Sequence, residues 1–554
     1  MKMESGCWKE PELKYYIYFC NFMEHKNNRV SVLLPLLLAI MLGGGILLGI
    51  NIRSRSDRSQ YLIYPRTDKI GTVMSYILGE YVDTVNKEKL TDDAIRALLN
   101  DLDPHSVYIP ASELQAVNEP LEGNFSGIGV QFNMQNDTVA IILTVANGPS
   151  ERVGIRPGDR IIKINDTLVA GVKLGTDKIM KKLRGPRGTR VKVSILRRGV
   201  PGLLDFEITR DQIPIYSVDA AYMLTSSTGY IKISSFSRTT HEEFVSAAEK
   251  LHKQGMNRII IDLRGNGGGY MESATSVADE FLGDNEMIVF TQGRQRPRSV
   301  VKARPGGVCV SDGVIVIIDE WSASASEILA GAIQDNDRGT IIGRRSFGKG
   351  LVQEQIPLPD GSALRLTVAR YYTPTGRCIQ KPYRDGTEAY YHELMDRYNR
   401  GELSKPDSAL FPDSLKYRTP KGKIVYGGGG IMPDVFVPLD TSGITPWFTQ
   451  VRSKGLTYSF AFKYTDDHRQ DLEKCKSVNA LIDYLDKKNV FGDFLKYVNS
   501  QGIAPKQNEI IKSRLLADTE LKAYIARNIF DNEGFYRVIA RMDETLKKAL
   551  EVPQ

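Results

Sequence analysis

The pattern of apolar and polar positions changes several times along this chain. Val30 to Ile50 (VSVLLPLLLAIMLGGGILLGI) is a continuous apolar run with no charge inside it, long enough to cross a bilayer. From Thr67 to Asn118 apolar residues recur at helical spacing, as in Ile70, Val73, Met74, Ile77, Leu78 and Tyr81. Thr91-Asp-Asp-Ala opens a further short helix, and Asp103-Pro104-His105-Ser106 is a turn. From Phe125 to Arg210 short strands dominate: a glycine turn at Ser126–Gly129 feeds a strand to Phe132, followed by strands at Val139–Val145, Arg160–Ile164 and Arg190–Arg197. Asn147-Gly-Pro-Ser150 opens a short helix, Gly154–Asp159 is a tight turn, and Gly175–Leu183 is helical. From Ser217 to Leu439 strands and helices alternate. From Thr441 to the end the pattern is helical and charged, as in Ser477–Lys487 and Leu515–Phe530.

These patterns predict a multidomain protein that mixes α/β and α+β architecture. An N-terminal helical domain spans 67–120. Small strands, two helices and a glycine-rich loop before a strand edge make residues 125–210 a module of PDZ type. The chemistry of such a module is strand addition: the backbone N–H groups of Gly127, Ile128, Gly129 and Val130 hold a terminal carboxylate while the following strand pairs with the peptide. A small β-domain acting only as a spacer is the plain alternative. Repeated βα units over 217–439 imply a core with helices covering a sheet, and 441–554 reads as a separate, appended helical extension.

A chain of 554 residues is too long for one core. Its net charge of +7 comes from scattered lysines and arginines, so nothing points to nucleic acid. Five cysteines form no C-x-x-C pair, and six histidines form no H-E-x-x-H motif, so neither a disulfide framework nor a zinc site is expected. No cofactor is implied. Lys26 and Arg29 precede the apolar run and Arg53, Arg55 and Arg58 follow it, so flanking charge does not fix its orientation. No small-x-small cleavage site follows, and the run reads as an uncleaved signal anchor (30–50) behind a cytoplasmic segment (1–29), with a cleaved signal peptide as the second reading. Glu4, Glu10 and Glu12 are unusual ahead of such a run, and Met23 is the expected start of translation.

The stretch Ile315–Gln353 carries the candidate chemistry. A buried strand runs into Trp321-Ser322-Ala323-Ser324-Ala325-Ser326, which opens a helix; after the next strand comes Phe347-Gly348-Lys349-Gly350, with Gln353 beyond. A serine is a weak nucleophile until a base takes its proton. Lysine can be that base if burial lowers its pKa, and no acidic residue neighbours Lys349 in sequence. Ser322, Ser324 and Ser326 compete. The nucleophile belongs at the helix start, where backbone N–H groups favour a developing oxyanion; Ser324 fits, with Ala325 N–H as one donor. Gly267-Gly268-Gly269, after the strand ending at Asp262, offers accessible amides for the second.

These motifs resemble the carboxy-terminal processing, or tail-specific, proteases of the serine–lysine type. The matching residues are Ser126–Val130, Gly154–Asp159, Asp262–Gly269, Ser322–Ile328, Phe347–Gly350 and Gln353, over roughly Thr67 to Leu439. The resemblance implies Ser324 as nucleophile, Lys349 as general base and Gln353, one helical turn on, as support for the lysine. It implies Gly268 and Ala325 as oxyanion donors and no metal. Glu327 and Asp335 are expected to be structural. Trp321 stands where relatives carry a smaller residue, and is expected to narrow the site or pack beside it. The implied function is an endopeptidase that takes protein or peptide tails in its PDZ module; a non-catalytic, membrane-anchored PDZ adaptor is the alternative. With the anchor, the expected place is a bacterial inner membrane with the catalytic part in the periplasm. The helices at both ends leave a homo-oligomer open.

Overall fold

The computed structural model describes residues 35–36, 38–45, 68–135, 137–405, 412–504 and 506–553. The expected cytoplasmic segment, the start at Met23 and most of the apolar run lie outside the described residues. Among the described residues no helix is long and apolar enough to cross a membrane. The chain divides into two compact units, Met1–Thr91 and Asp92–Gln554.

In the first unit, helix Lys69–Glu80 begins at Asp68, whose carboxylate accepts from Gly71 N at 2.9 Å. The next helix, Lys87–Asn100, starts earlier than the sequence suggests. Asn86 caps it, accepting from Lys89 N at 3.0 Å. Thr91 is an interior residue whose hydroxyl turns back to Lys87 O, a local bond that hides the helical register from a reading of caps.

The centre of the second unit is a six-stranded sheet in the order Val218–Met223, Thr228–Ile233, Arg258–Asp262, Gly313–Ile318, Thr340–Gly343, Val435–Phe436. All its pairs are parallel except the first. Strands such as Arg258-Ile-Ile-Ile-Asp262 are buried along their whole length, as expected for parallel strands covered on both faces. One face packs under helices Thr240–His252, Met271–Asp279 and Ala325–Asp335, through Phe244, Val277, Phe281, Leu329 and Ile333. The other face presents Tyr230, Ile260, Ile315, Ile317 and Ile342 to Leu546 and Ala549 of the last helix, Glu544–Glu551. Arg258 Nη2 closes that helix by donating to Ala549 O at 2.9 Å and Val552 O at 2.7 Å. The C-terminal extension is therefore more than an appendage: most of it has its own core around Trp447, Phe460, Phe494 and Leu521, but its last turns complete the packing of the central sheet.

A second, antiparallel sheet stands beside the first. Strand Ala363–Tyr372 pairs with Leu351–Pro357, with Met287–Gln292 and, at its start, with Val107–Ile109. That last pairing ties the end of the expected helical domain into the larger unit, because a strand follows the Asp103–Ser106 turn directly.

Residues 130–209 form the PDZ-type module. Its strands are Val130–Gln135, Thr138–Thr144, Arg160–Ile164, Arg190–Leu196 and Leu203–Thr209, with helices Pro149–Arg152 and Thr176–Leu183. Val139, Ile141, Ile161, Ile179 and Val193 fill its core. The chain enters and leaves the module as a two-stranded ribbon, Asn124–Gly127 against Asp211–Pro214. The alternate residues of strand Thr138–Thr144 point outward, and Ala140 and Ile142 pack on Phe462 of the extension. Arg160 pairs with Asp466 at 3.2 Å on the same helix, Leu456–Leu472. Phe462→Ala should remove this apolar support at a cost of about 3–5 kcal/mol. Hydrogen exchange at Thr138–Thr144 is expected to speed up while that of Arg258–Asp262 stays unchanged; equal exchange in both proteins would refute the contact's importance.

Candidate active site

Three loops meet at the carboxyl ends of adjacent parallel strands, where open α/β sheets place their sites. The strand Arg258–Asp262 leads to the glycine loop, Gly313–Ile318 to Ser324, and Thr340–Gly343 to Lys349. With the second sheet they enclose a cleft of 760 Å³ lined by Gly267, Gly268, Gly269, Ser324, Ala325, Lys349, Gln353 and Tyr371.

The three serines separate by their partners. Ser322 Oγ donates to Leu263 O at 2.9 Å and accepts from Asp319 N, fully buried. Ser326 Oγ donates to Asn266 O at 2.9 Å, also buried. Both hydroxyls serve the framework, and only Ser324 lines the cleft. Ser324 stands at the N-terminus of helix Ala325–Asp335 with φ 56° and ψ −112°. Positive φ is costly for a residue with a side chain, and such strain persists only where the surroundings impose it. A serine on a strained strand–turn–helix junction is the arrangement that a nucleophile site of this kind requires.

Glu327 imposes it. Its carboxylate is completely buried and accepts from Ser324 N (2.8 Å), Ser346 Oγ (2.5 Å), Gly348 N (2.7 Å) and Lys349 N (2.8 Å). On the opposite side the buried hydroxyl of Tyr371 lies 2.7 Å from Lys349 O and 3.1 Å from Ser324 O. The serine turn and the lysine loop are thus held together by their backbones, through both N–H and C=O groups. Asp335 matches its structural expectation in kind, pairing with buried Arg377 at 2.6 Å, whereas Glu327 touches the backbone of both candidate catalytic residues. Its spacing of three from Ser324, S-x-x-E, is the capping-box signal that a closer reading of the sequence would have used.

Lys349 Nζ donates to Gln353 Oε1 at 3.2 Å. Burial holds the lysine below its ordinary pKa, and the Arg365 guanidinium adds to this; Glu327 and Asp103 oppose both. The acidic neighbours come from distant segments, which is why none is visible around Lys349 in sequence. Gln353 lies on strand Leu351–Pro357 and not one helical turn on. A bulge between Val352 and Gln353 shifts the register against Ala369 and Thr367, and such a bulge re-aims the side chains around it. Gln353 Nε2 donates to His105 O. The Asp103–Ser106 turn therefore reaches the site: Asp103 Oδ1 accepts from His105 N at 2.8 Å and Ser106 N at 2.9 Å. The His105 ring is pushed down to about 4 by burial and then by the charge of Lys349, so it is neutral at neutral pH.

The oxyanion expectation needs revision at one residue. Gly268 N already donates to Asn266 Oδ1 at 2.8 Å, so it is engaged in this state. Gly267, Gly269 and Ala325 have no acceptor for their amides among the described residues. Gly268 still sits against the serine: a Cβ there would lie 2.8 Å from Ser324 Cβ, so no other residue fits. Trp321 is exposed and lines no part of the cleft, which corrects the expectation that it narrows the site. In the PDZ loop, Ile128 O accepts from Ser150 N and Oγ, and Gly129 has φ 72°. The amides of Ile128 and Gly129 have no acceptor among the described residues, while the Ile128 side chain belongs to the module's core.

Residues 227–388 match Peptidase family S41, residues 126–208 match the PDZ domain, and residues 447–531 match a family of unknown function. The chain is 36% identical over 334 residues to the carboxy-terminal-processing protease of Bartonella bacilliformis, covering 59% of this chain and 76% of that one. It is 34% identical over 382 residues to the carboxy-terminal processing protease CtpB of Bacillus subtilis, covering 65% and 77%. Among solved structures it is similar to a photosystem II D1 C-terminal processing protease, with 31% identity, 55% of this chain and 82% of that chain covered, and a TM-score of 0.33. The chain belongs to the carboxy-terminal processing proteases of peptidase family S41. It is a serine peptidase with a PDZ domain.

Burial pushes the Glu327 carboxyl from 4.5 up to about 7, against its four donors, which favour the anion. A carboxyl raised in the folded state adds stability that is full below its unfolded pKa and lost as pH rises through the folded one. The fall in stability between pH 4.5 and 7 should therefore flatten in Glu327→Gln, measured by urea denaturation across that range. Cleavage should fall at least about a hundredfold in the same variant, since an amide cannot accept from four donors. An unchanged slope would remove the assignment.

Proposed function

We propose that this protein is an endopeptidase in which Ser324 attacks the scissile carbonyl and Lys349 is the general base, with the substrate's carboxyl terminus held by the PDZ domain. One observation carries the reading: a strained serine at a helix N-terminus and a half-buried lysine line one cleft, with their backbones joined by Glu327 and Tyr371.

Neutral Lys349 takes the Ser324 Oγ proton as the Oγ–C bond forms. The carbonyl oxygen becomes an oxyanion facing Ala325 N–H and a glycine-loop amide; Gly267 and Gly269 are free as they stand, and Gly268 serves after releasing Asn266. Collapse breaks the C–N bond, and the Lys349 ammonium returns its proton to the leaving amine. Lys349 then removes a proton from water as its oxygen bonds to the acyl carbon; collapse breaks the C–Oγ bond, and Lys349 returns the proton to Ser324 Oγ. Gln353 holds Nζ in place between these steps. The free amides of Ile128 and Gly129 support capture of a tail carboxylate. The non-catalytic adaptor has no observation in its favour. The uncharged Val30–Ile50 run supports a membrane tether; the periplasmic side for the catalytic part belongs to the same proposal and does not rest on the charges that flank the run.

Ser324→Ala and Lys349→Ala should each abolish cleavage of an unstructured protein such as β-casein. Both variants should still bind a peptide with a free carboxyl terminus and lose it when that terminus is amidated. Cleavage by either variant, or equal binding of the amidated peptide, would refute the corresponding part of the reading.

The base must be neutral, so kcat/KM should rise with pH through the lowered pKa of Lys349. Arg365 helps to lower it. Arg365→Gln should therefore move the acid limb of the kcat/KM profile to higher pH; an unmoved limb would exclude Lys349 as the titrating group.

A further inference from the structure

The base of the glycine loop is a partly buried cluster of charges, and one member comes from the C-terminal extension. Arg264 stands between two carboxylates. Its Nη2 is 2.5 Å from Asp262 Oδ2 and 2.7 Å from Asp543 Oδ2. Asp262 is buried and also faces Lys232, whose Nζ is 3.4 Å from Asp262 Oδ1 and donates to Arg264 O. Tyr230 OH donates to Asp262 Oδ2 at 2.8 Å. The cluster thus holds two cations, Lys232 and Arg264, and two anions, Asp262 and Asp543. Without Asp543 its two cations face a single carboxylate, and charge partly withdrawn from water is costly unless paired.

The cluster is continuous with the reacting centre. Arg264 O is held by Lys232, Gly265 N donates to Asp319 Oδ1 at 3.0 Å, and Asn266 accepts from Gly268 N while its carbonyl accepts from Ala323 N at 3.0 Å. Gly268 lies four positions after Arg264. Asp543 is itself fixed, because its Oδ1 caps the last helix by accepting from Thr545 N at 2.9 Å and Leu546 N at 3.1 Å. That helix is the one packed on the central sheet.

We infer that Asp543 is a positioning residue for peptide hydrolysis: by completing the charge balance at Arg264, the C-terminal extension sets the geometry of the Gly265–Gly269 loop that receives the oxyanion. This gives the region around the unassigned 447–531 domain a part in catalysis, and it rests on the reading of the glycine loop given above.

The test uses the full chain, β-casein as substrate, and a peptidyl boronic acid, whose adduct with the serine mimics the tetrahedral state. Asp543→Asn keeps an oxygen to cap the helix but removes the charge. Its kcat should fall about tenfold, less than the loss of a whole oxyanion donor, with KM within about twofold. Boronate affinity should weaken by the same factor as kcat. Asp543→Glu, which restores the charge, should recover most of both. A kcat within about twofold of the parent, or a lower kcat with unchanged boronate affinity, would overturn the inference; Asp543→Glu is judged by the same two readouts if Asp543→Asn does not fold. Ser324→Ala separates the two levels: its continued activity would remove the site itself, whereas an inactive Ser324→Ala beside a fully active Asp543→Asn removes only the role of Asp543.

Discussion

A carboxylate sealed from water with four donors around it governs the arrangement of this molecule's reactive end. Removing Glu327 from solvent is unfavourable unless its oxygens are satisfied. The donors that satisfy them come from the serine turn and from the loop after the neighbouring strand. Neither loop can shift without leaving a buried anion short of a partner. The positive φ of Ser324 is sustained by that penalty, since the relaxed backbone would withdraw its N–H from the carboxylate. Tyr371 closes the opposite side, so the two loops behave as one piece.

The remaining parts attach to this piece in a graded way. The glycine loop joins through Asn266, whose side chain and carbonyl bind Gly268, Ala323 and Ser326. The second sheet brings Gln353 to the lysine, and a turn far upstream brings the carbonyl that orients Gln353. The central sheet provides rigid strand ends, and the antiparallel sheet provides the opposite wall. A cleft made from two sheets and an added strand is held at many points, and this restrains Lys349 from relaxing outward into water.

Much of this architecture was legible in the residues. The all-apolar strands, the glycine turns and the small-residue run at Ser322–Ser326 locate the loops because local backbone demands fix them. Arg160–Ile164 and Thr176–Leu183 follow their period and punctuation closely. What was not legible depends on distant partners. Gln353 looks helical when counted by fours from Lys349, but the pairing of its strand with Ala363–Tyr372 decides the matter. Glu327 reads as an ordinary helix-start acid, because its other donors lie at Ser346, Gly348 and Lys349. The engagement of Gly268 by Asn266 is a side-chain choice that spacing does not encode. The extension looked detached because its helices are amphipathic by themselves, while its contacts with the rest come from Phe462 and Asp466 on one helix and from the last helix at its end.

The ribbon formed by Asn124–Gly127 and Asp211–Pro214 has a consequence for how a captured substrate behaves. Two independent flexible tethers would let the PDZ domain wander, and a bound tail would sample a large volume. Paired strands share one twist axis and bend together, so the ribbon restrains the module more than two separate tethers would, and Phe462 and Asp466 hold it at a second place. On the proposed reading, a tail held by such a module would stay near the cleft. Its local concentration there is set by the ribbon's length and stiffness more than by the affinity of the groove. Weak, sequence-tolerant binding of tails is then compatible with efficient delivery of the chain that carries them.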